Sequence, residues 1–456
     1  MLKPVNNFII DARTVLQLGR DSIKNPTTAV VELVKNSYDA DATIVEVHIG
    51  NDSIRISDNG YGMSVSELTS RWLRIGFSEK RENKHTKNTR RKTGEKGIGR
   101  LSADRLGSNL RLRTKASGED AYELNVTWDD FDVDGKSVSD IPVNVDISEA
   151  PALLSVDGTG TEISISNLRQ RWLAANVEQL YVELSALLSP FSKQRDFEVK
   201  FTNEVLPELN GTVQSDYYEV AELSLKATYD VSSNSVAYSI VNRYDPANVK
   251  TVEHTMPWSQ LSSQIDRSTS SYDSESLSCG PVDLEILFFP RSASNPLLKE
   301  RGLTLPGLRN FLDKNAGIKI YRDNISVKPF GYNNEPAGDW LGLAQRKERD
   351  PAGLNRATYK VSSYQLVGAV SVGRDLNAQL RDGAAREGFV ENAAFNDLRA
   401  LALSCVVLLE KYRYEDALSR SKNEKKTVLE KTESYSDDLN NLQQDLEGLS
   451  STLKNN

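Results

Sequence analysis

Apolar residues recur at helical spacing in "VVELVKNSYDADAT" (30–43), where Val30, Leu33 and Val34 share one side of a helix. Glu32, Asn36 and Asp39, four and three residues apart, form a polar stripe on another face. The period then changes to two. "ATIVEVHIG" alternates like a half-buried strand, "ND" turns the chain and "SIRISD" returns it. "SELTSRWLRIG" has a helical pattern, whereas "SEKRENKHTKNTRRKTGEKGIGR" has no apolar face. That stretch is basic and punctuated by glycine, which predicts a long mobile loop. "LSADRLG" restarts a helix, and "SNLRLRTKA", "AYELNVTW" and "TEISISNL" predict further strands of one antiparallel sheet.

Residues 196–290 form a second strand-rich block, with "FEVKFTN", "VAELSLKATYDV", "SVAYSIVNRY" and "VDLEILFF". The serine-rich "SSQIDRSTSSYDSESLSCG" inside it predicts a surface loop. From Leu303 to about residue 400, helix ("GLRNFLDKN") and strand ("GIKIYRDN", "QLVGAVSV") patterns mix as in a separate α/β domain. The tail carries Val428, Thr432, Tyr435, Leu439, Leu442, Leu446, Leu449 and Leu453, alternately four and three apart. That spacing predicts a coiled-coil seam, weakened in its first half by Thr432 and Tyr435; a single helix packed back on the body is the alternative. The heptads are still running at residue 456, a pattern that leaves room for the coiled coil to continue beyond this chain.

Composition narrows the class. A chain of 456 residues is long for one domain, and 38% hydrophobic with 26% charged residues suits a protein with real cores. No run of 18 apolar residues occurs and "MLKPVNNFII" has no long apolar core of a signal peptide, so a cytoplasmic protein is expected, without a membrane partner. Two distant cysteines, Cys279 and Cys405, exclude a disulfide framework, and three histidines argue against a zinc site. A net charge of −8 argues against a uniformly basic nucleic-acid coat while leaving room for a local patch.

Four stretches are candidates for chemistry. The polar stripe is either the wet face of an amphipathic helix or the wall of a pocket. "ISDNGYGM" (56–63) reads as a hairpin turn, or as two glycines around a strand-terminal carboxylate, Asp58, which could accept from an exocyclic amine in an apolar slot. "GEKGIGR" (94–100) places three glycines ahead of a helix, as phosphate-binding loops do. It is not a P-loop, because Arg100 and Leu101 stand where Lys and Ser/Thr are required. "DFDVDGKSVSDI" (130–141) imitates a calcium loop, but Ile141 replaces the closing glutamate, so a polar turn is expected. The basic run from Lys80 to Lys92 has no interleaved aromatics and reads as a solvated loop more readily than as a nucleic-acid surface. His48, His85 and His254 give no support to histidine chemistry.

The order of these stretches carries more than any one of them. "ELVKNSYDA", then "DNGYGM", then "GEKGIGR", then "GTGTEISI" (158–165) resembles the four nucleotide boxes of the GHKL superfamily of ATPases. That superfamily includes gyrase-type topoisomerases, the 90-kilodalton heat-shock chaperones, MutL, MORC proteins and, more distantly, histidine kinases. "GIKIYRDNISVKPFG", "DWLGL" and "LRDGAAREGFVEN" resemble the transducer domain of bacterial MORC-like and chaperone-like members. The resemblance implies an α+β protein: a Bergerat-type ATP-binding α/β sandwich over 1–195 with a lid at about 64–99, a transducer-like α/β domain over 196–400, and a helix and coiled coil over 401–456.

It also implies site residues. Glu32 matches the general base that activates water, and Asn36 the Mg²⁺ ligand, an amide oxygen suited to a hard cation. Asp39 matches a residue that supports the pocket. Asp58 would meet the adenine amino group, Gly60, Gly62 and Met63 would shape the base slot, and Thr161 would support adenine. Gly94, Lys96, Gly97, Ile98 and Gly99 would wrap the phosphates, with Arg100 beside them. Arg386 in "AREGF" would bring a cation to the γ-phosphate, although Ala385 replaces the chaperones' serine; Arg346 and Lys347 are the reserves.

The implied activity is ATP hydrolysis in a clamp that homodimerises on ATP binding, with DNA and an effector protein as the partners suggested and a MORC-like part in bacterial genome defence as the preferred role. The alternatives are a chaperone-like ATPase on protein clients and a nucleotide-gated module with negligible turnover. A histidine kinase fits poorly, because only about 30 residues without histidine precede the first box.

Overall fold

The computed structural model describes residues 9–20, 23, 25–77, 84–93, 99–191, 196–213, 215–264, 275–291, 295–348, 360–383 and 388–454, with side chains along the last helix described to Lys425. Two mixed sheets organise the chain.

The first sheet has eight strands: β1 (Ile44–Ile49), β2 (Ser53–Asp58), β3 (Gly107–Lys115), β4 (Ala121–Thr127), β5 (Val145–Ile147), β6 (Gly160–Leu168), β7 (Glu198–Asn203) and β8 (Gly211–Thr212). They lie in the order β5-β4-β3-β6-β2-β1-β7-β8. The alternation expected for β1 and β2 holds: Val45, Val47, Ile49, Ile54 and Ile56 are buried, and the two strands pair antiparallel with Val47 opposite Ile56. Helices α1 (Arg13–Arg20), α2 (Pro26–Asp39) and α3 (Ala174–Ser185) supply the residues that cover this face. Helix α2 starts where sequence chemistry directs: the Asn25 side chain accepts from the Thr28 amide at 2.8 Å and Pro26 takes the first helical position. Val30, Leu33 and Val34 are buried against the sheet, which turns Glu32 and Asn36 toward its other flank.

The strand "FEVKFTN" was expected in the second block. It is β7, and it pairs parallel with β1, so the first sheet extends to Thr212. The second sheet contains β9 (Leu223–Asp230), β10 (Ser235–Asn242), β11 (Lys250–Pro257), β12 (Val282–Phe288), β13 (Gly317–Arg322), β14 (Ile325–Val327) and β15 (Leu366–Val372), in the order β11-β10-β9-β12-β15-β13-β14. The strands read as a separate α/β domain after Leu303 therefore complete the sheet begun at Leu223. Helix α4 (Leu305–Asn315) packs Leu308, Phe311 and Leu312 on one side of it. The other side is covered by the start of helix α5 (Ala393–Lys454), through Phe395, Leu398, Leu401 and Val406.

Helix α5 runs unbroken for 62 residues, so the tail is helical as expected. It begins inside the second core rather than as a free segment. Glu410 fixes that root: its carboxylate accepts from Arg346 and from the Val361 amide, both at 2.9 Å.

The two halves meet along β13 and β14. The Ser326 amide donates to the Leu187 carbonyl at 3.0 Å, and Lys328 pairs with Glu183 of α3 at 2.8 Å. Among the described residues no helix is long and apolar enough to cross a membrane.

Candidate functional site

Helix α2, the ends of β2 and β6, and the chain on either side of the basic stretch enclose a cavity of about 240 Å³. Glu32, Asn36 and Asp39 line it, as do Asp58, Gly62, Met63, Gly99, Arg100 and Thr161. The polar stripe of α2 is therefore a pocket wall. Asp58 and Thr161, 103 positions apart in sequence (161 − 58), are brought together because β2 and β6 are neighbours.

The deep end is built around Asp58, buried at the end of β2. Burial pushes its carboxyl up to about 6, against the lowering effect of three donors: the Ser37 hydroxyl and the Gly60 and Thr161 amides. The Ser37 bond is 2.7 Å and the Gly60 bond 2.9 Å. Around it lie Ile56, Met63, Leu110, Leu112 and Ile163, an apolar slot suited to a flat ring. Asn59 fastens the turn, its Oδ1 accepting from the Thr43 and Ile44 amides at 2.9 and 2.8 Å. Gly62 has φ +65°, and a Cβ there would lie 2.0 Å from the Lys115 carbonyl oxygen, so only glycine fits. The Met63 amide donates to the Thr114 hydroxyl at 2.9 Å, and that hydroxyl lies 3.0 Å from the Thr161 hydroxyl.

The shallow end is polar. Lys35 donates to Glu32 Oε1 at 2.9 Å, and Glu32 remains partly exposed. Gly99, which opens the turn leading to β3, approaches two members of the stripe: a Cβ added there would lie 3.9 Å from Asn36 Nδ2 and 4.0 Å from Glu32 Oε2. A carboxylate, an amide and a glycine backbone thus share one rim. A carboxylate able to take a proton, a neutral oxygen for a hard cation and a backbone without a side chain form a donor set that fits a phosphate chain with Mg²⁺. Among the described residues no cluster of three or more His, Cys, Asp or Glu side chains could hold a metal without such a ligand.

Two expectations need revision, and Arg100, which lines the cavity, has a structural role besides. The guanidinium of Arg100 donates to the carbonyls of Arg71 and Trp72, and of Phe77 at 3.2 Å, so it fastens the segment 71–77. Burial lowers its pKa to about 10. The reserve cations Arg346 and Lys347 are not among the residues lining the cavity, and Arg346 is engaged by Glu410. The basic stretch is not a free loop throughout, because residues 84–93 form a hairpin in which the Thr86 amide donates to the Arg90 carbonyl at 2.8 Å and the Arg90 amide to the Thr86 hydroxyl at 3.0 Å. Arg90 is buried: it donates to Asp196 Oδ2 at 2.9 Å, to the Ala42 carbonyl at 2.7 Å and to the Tyr38 carbonyl at 3.2 Å, beneath the Tyr38 ring. Thr93 ends the hairpin on Asp39, giving its amide to Oδ1 at 2.8 Å and its hydroxyl to Oδ2 at 3.0 Å.

Gly94, Lys96, Gly97 and Ile98 lie outside the described residues, as does Arg386. Gly60 stands just behind the wall, against Ala40 and Asp58. Sequence reasoning missed Ser37 and the lining by Glu67, Arg71, Trp72 and Phe77, and also Thr114, which ties Met63 to Thr161 behind the wall. The calcium-like loop is a polar turn, with Asp132 and Asp134 paired to Arg13.

Residues 24–161 match the family described as histidine kinase-, DNA gyrase B-, and HSP90-like ATPase. The chain is also similar to a putative type II restriction enzyme, HgiDII, of Herpetosiphon aurantiacus, with 38% identity over 89 residues, 20% of this chain and 15% of that protein. A DNA mismatch repair protein MutL from Endomicrobium trichonymphae is 33% identical over 128 residues, 27% of this chain and 21% of the relative. The MutL of Azorhizobium caulinodans is 52% identical over 50 residues, 10% and 8% of the two chains. This chain thus spans about a fifth or less of these relatives' length.

Proposed function

We propose, from the premise that residues 24–161 are a GHKL-superfamily ATPase module, that the protein is an ATP-hydrolysing conformational clamp acting on DNA. The observation that carries this reading is the convergence of Glu32, Asn36, Asp58 and Gly99 on one cavity. Asp58 accepts the amino group of adenine in the apolar slot, and Gly62, Met63 and Thr161 shape its walls. Asn36 offers its amide oxygen to Mg²⁺, which, when bound, offsets charge on the phosphates. Glu32 orients the attacking water and takes its proton, and Lys35 holds that carboxylate in place. Gly94, Lys96, Gly97, Ile98 and Gly99 wrap the phosphate chain, and Arg386 is the candidate cation from the second domain.

The names of the relatives, DNA mismatch repair proteins and a restriction enzyme, support DNA as the client. ATP-dependent contacts between two N-terminal modules and the heptad seam of α5 would hold a homodimer; a MORC-like defence role with an effector protein extends the same reading. The deciding experiment is steady-state ATP turnover with and without duplex DNA at low and moderate salt, with Glu32→Ala as the blank. Salt-sensitive stimulation by DNA, absent from the blank, is expected. Turnover indifferent to DNA would overturn the DNA client in favour of a protein, and turnover no higher than the blank would overturn hydrolysis.

A further inference from the structure

The hairpin 84–93 is fastened in two directions. Its end is held to α2 by Thr93 on Asp39, inside the cavity wall. Two residues earlier, Arg91 reaches the second domain. Its side chain is only 8% exposed, its Nε lies 3.4 Å from Asp323 Oδ2, and it also pairs with Asp375.

Those two aspartates belong to a larger cluster. Asp323 occupies the turn between β13 and β14 at φ 52°, its amide donating to the Val372 carbonyl at 3.0 Å and its Oδ1 accepting from the Arg374 amide at 3.1 Å. Arg322, buried beside it, pairs with Asp382, which also accepts from Arg374 at 2.6 Å. Arg91, Arg322 and Arg374 are thus balanced by Asp323, Asp375 and Asp382, with one arginine supplied by the lid segment and the other five groups by the second domain. Asp382 opens a short pairing in which the Gly383 amide donates to Gly388 at 3.0 Å. Exposed ion pairs hold little, but a cation this well buried between carboxylates is held firmly, since separating them leaves charge uncompensated. Other described links between the halves run from α3 and the segment after it to Lys314, Asn315, Ser326 and Lys328, and from Tyr38 of α2 to Asn324 beside Asp323; Arg91 is the link supplied by the hairpin itself.

We propose that Arg91 is a positioning residue that carries the nucleotide state of the cavity to the second domain. The run Arg91-Lys92-Thr93 joins the Asp323–Asp375 pair at one end to Asp39 at the other. Any displacement of Thr93 on ligand entry is therefore delivered over two residues to β13, β14 and the segment after β15. Packed ionic interfaces change by switching partners rather than by stretching, so the pair acts as a discrete contact. This inference rests on the nucleotide-binding reading above.

The test is hydrogen exchange on the full chain, with Mg²⁺ and a non-hydrolysable ATP analogue, read at 54–58 and at 366–382. In the wild type the analogue slows exchange in both segments. In Arg91→Ala it binds within about twofold of wild-type affinity and still protects 54–58, but protection at 366–382 is lost, and kcat falls about tenfold with KM nearly unchanged. Asp323→Asn, approached from the other side, gives the same loss, and Arg91→Lys restores part of it. Full transmission in both Arg91→Ala and Asp323→Asn would overturn the relay, as would a wild type that binds the analogue with no change at 366–382. A wild type that fails to bind the analogue overturns the nucleotide reading itself, and the relay with it.

Discussion

The hydroxyl of Ser37 donates to Oδ2 of Asp58 across 2.7 Å, joining the helix that carries Glu32 and Asn36 to the strand end at the floor of the cavity. The acceptor is a buried carboxylate, so the bond is of the charge-assisted kind, contributing roughly 1.5–3 kcal/mol. Ser37→Ala is expected to weaken binding of an ATP analogue at least about tenfold, measured by calorimetric titration. Unchanged affinity would mean that Asp58 needs no help in facing the ligand.

Asp58 also sets a pH dependence. Its carboxyl titrates at about 6 in the folded protein, above its ordinary value of 3.8. The folded state thus holds the proton more tightly than the unfolded chain. This group's contribution to stability is present below its unfolded pKa and is lost as pH rises through about 6. Ligand binding runs the other way, because accepting the adenine amine requires the ionised form. Affinity for the analogue should fall as pH drops below 6, by up to about tenfold per unit, and Asp58→Asn should bind weakly with a flat profile. A wild-type profile flat from pH 7 to 5 would remove Asp58 from the contact.

Arg90 offers a stability test. Its guanidinium is enclosed by Asp196, the Tyr38 and Ala42 carbonyls and two aromatic rings. Replacing it with alanine leaves Asp196 and those carbonyls without their donor and is expected to cost about 3 kcal/mol in chemical denaturation. Lys87→Ala, an exposed change in the same hairpin, should stay within about 0.5 kcal/mol. Equal effects would show that the hairpin is not anchored.

Gly62 and Gly118 both have positive φ, +65° and +75°, but only Gly62 faces backbone at 2.0 Å, while Gly118 has open space. Gly118→Ala should therefore cost only the left-handed penalty, about 1–2 kcal/mol. Gly62→Ala must also displace Lys115 and should cost clearly more, with loss of analogue binding. Matched melting temperatures for the two variants would contradict the close approach.

The first sheet and the core of the site were legible because their signals are local. The period-two alternation of β1 and β2, the helical spacing of Val30, Leu33 and Val34 in α2 and the Asp58-Asn59-Gly60 turn each announce themselves within a few residues. The attachment of β7 to β1 was not legible, since a parallel pairing across 150 residues leaves no trace in either strand's own pattern. Strand β11 escaped notice because seven of its eight residues are exposed and nothing apolar alternates. Arg90 and Arg91 were hidden by their neighbours: a charge run reads as solvated, and only the fold supplies Asp196, Asp323 and Asp375 from distant segments to bury two of its members. Ser37 was overlooked for a similar reason, its partner being 21 residues away on another element.

The last helix has a mechanical consequence. Its first turns are embedded in the second core and pinned at Glu410, and contacts with the second sheet continue through Arg413 over the Phe288 ring and Asp416 near Lys250 to Arg420 over the Tyr244 ring. At 1.5 Å per residue the helix from Arg420 to Lys454 is about 50 Å long, so a tilt of about 5° at Arg420 would sweep its far end through about 4 Å. Rearrangements in the second domain too small to alter its packing would be magnified there, as at the tip of a lever gripped along its base from Phe395 to Arg420.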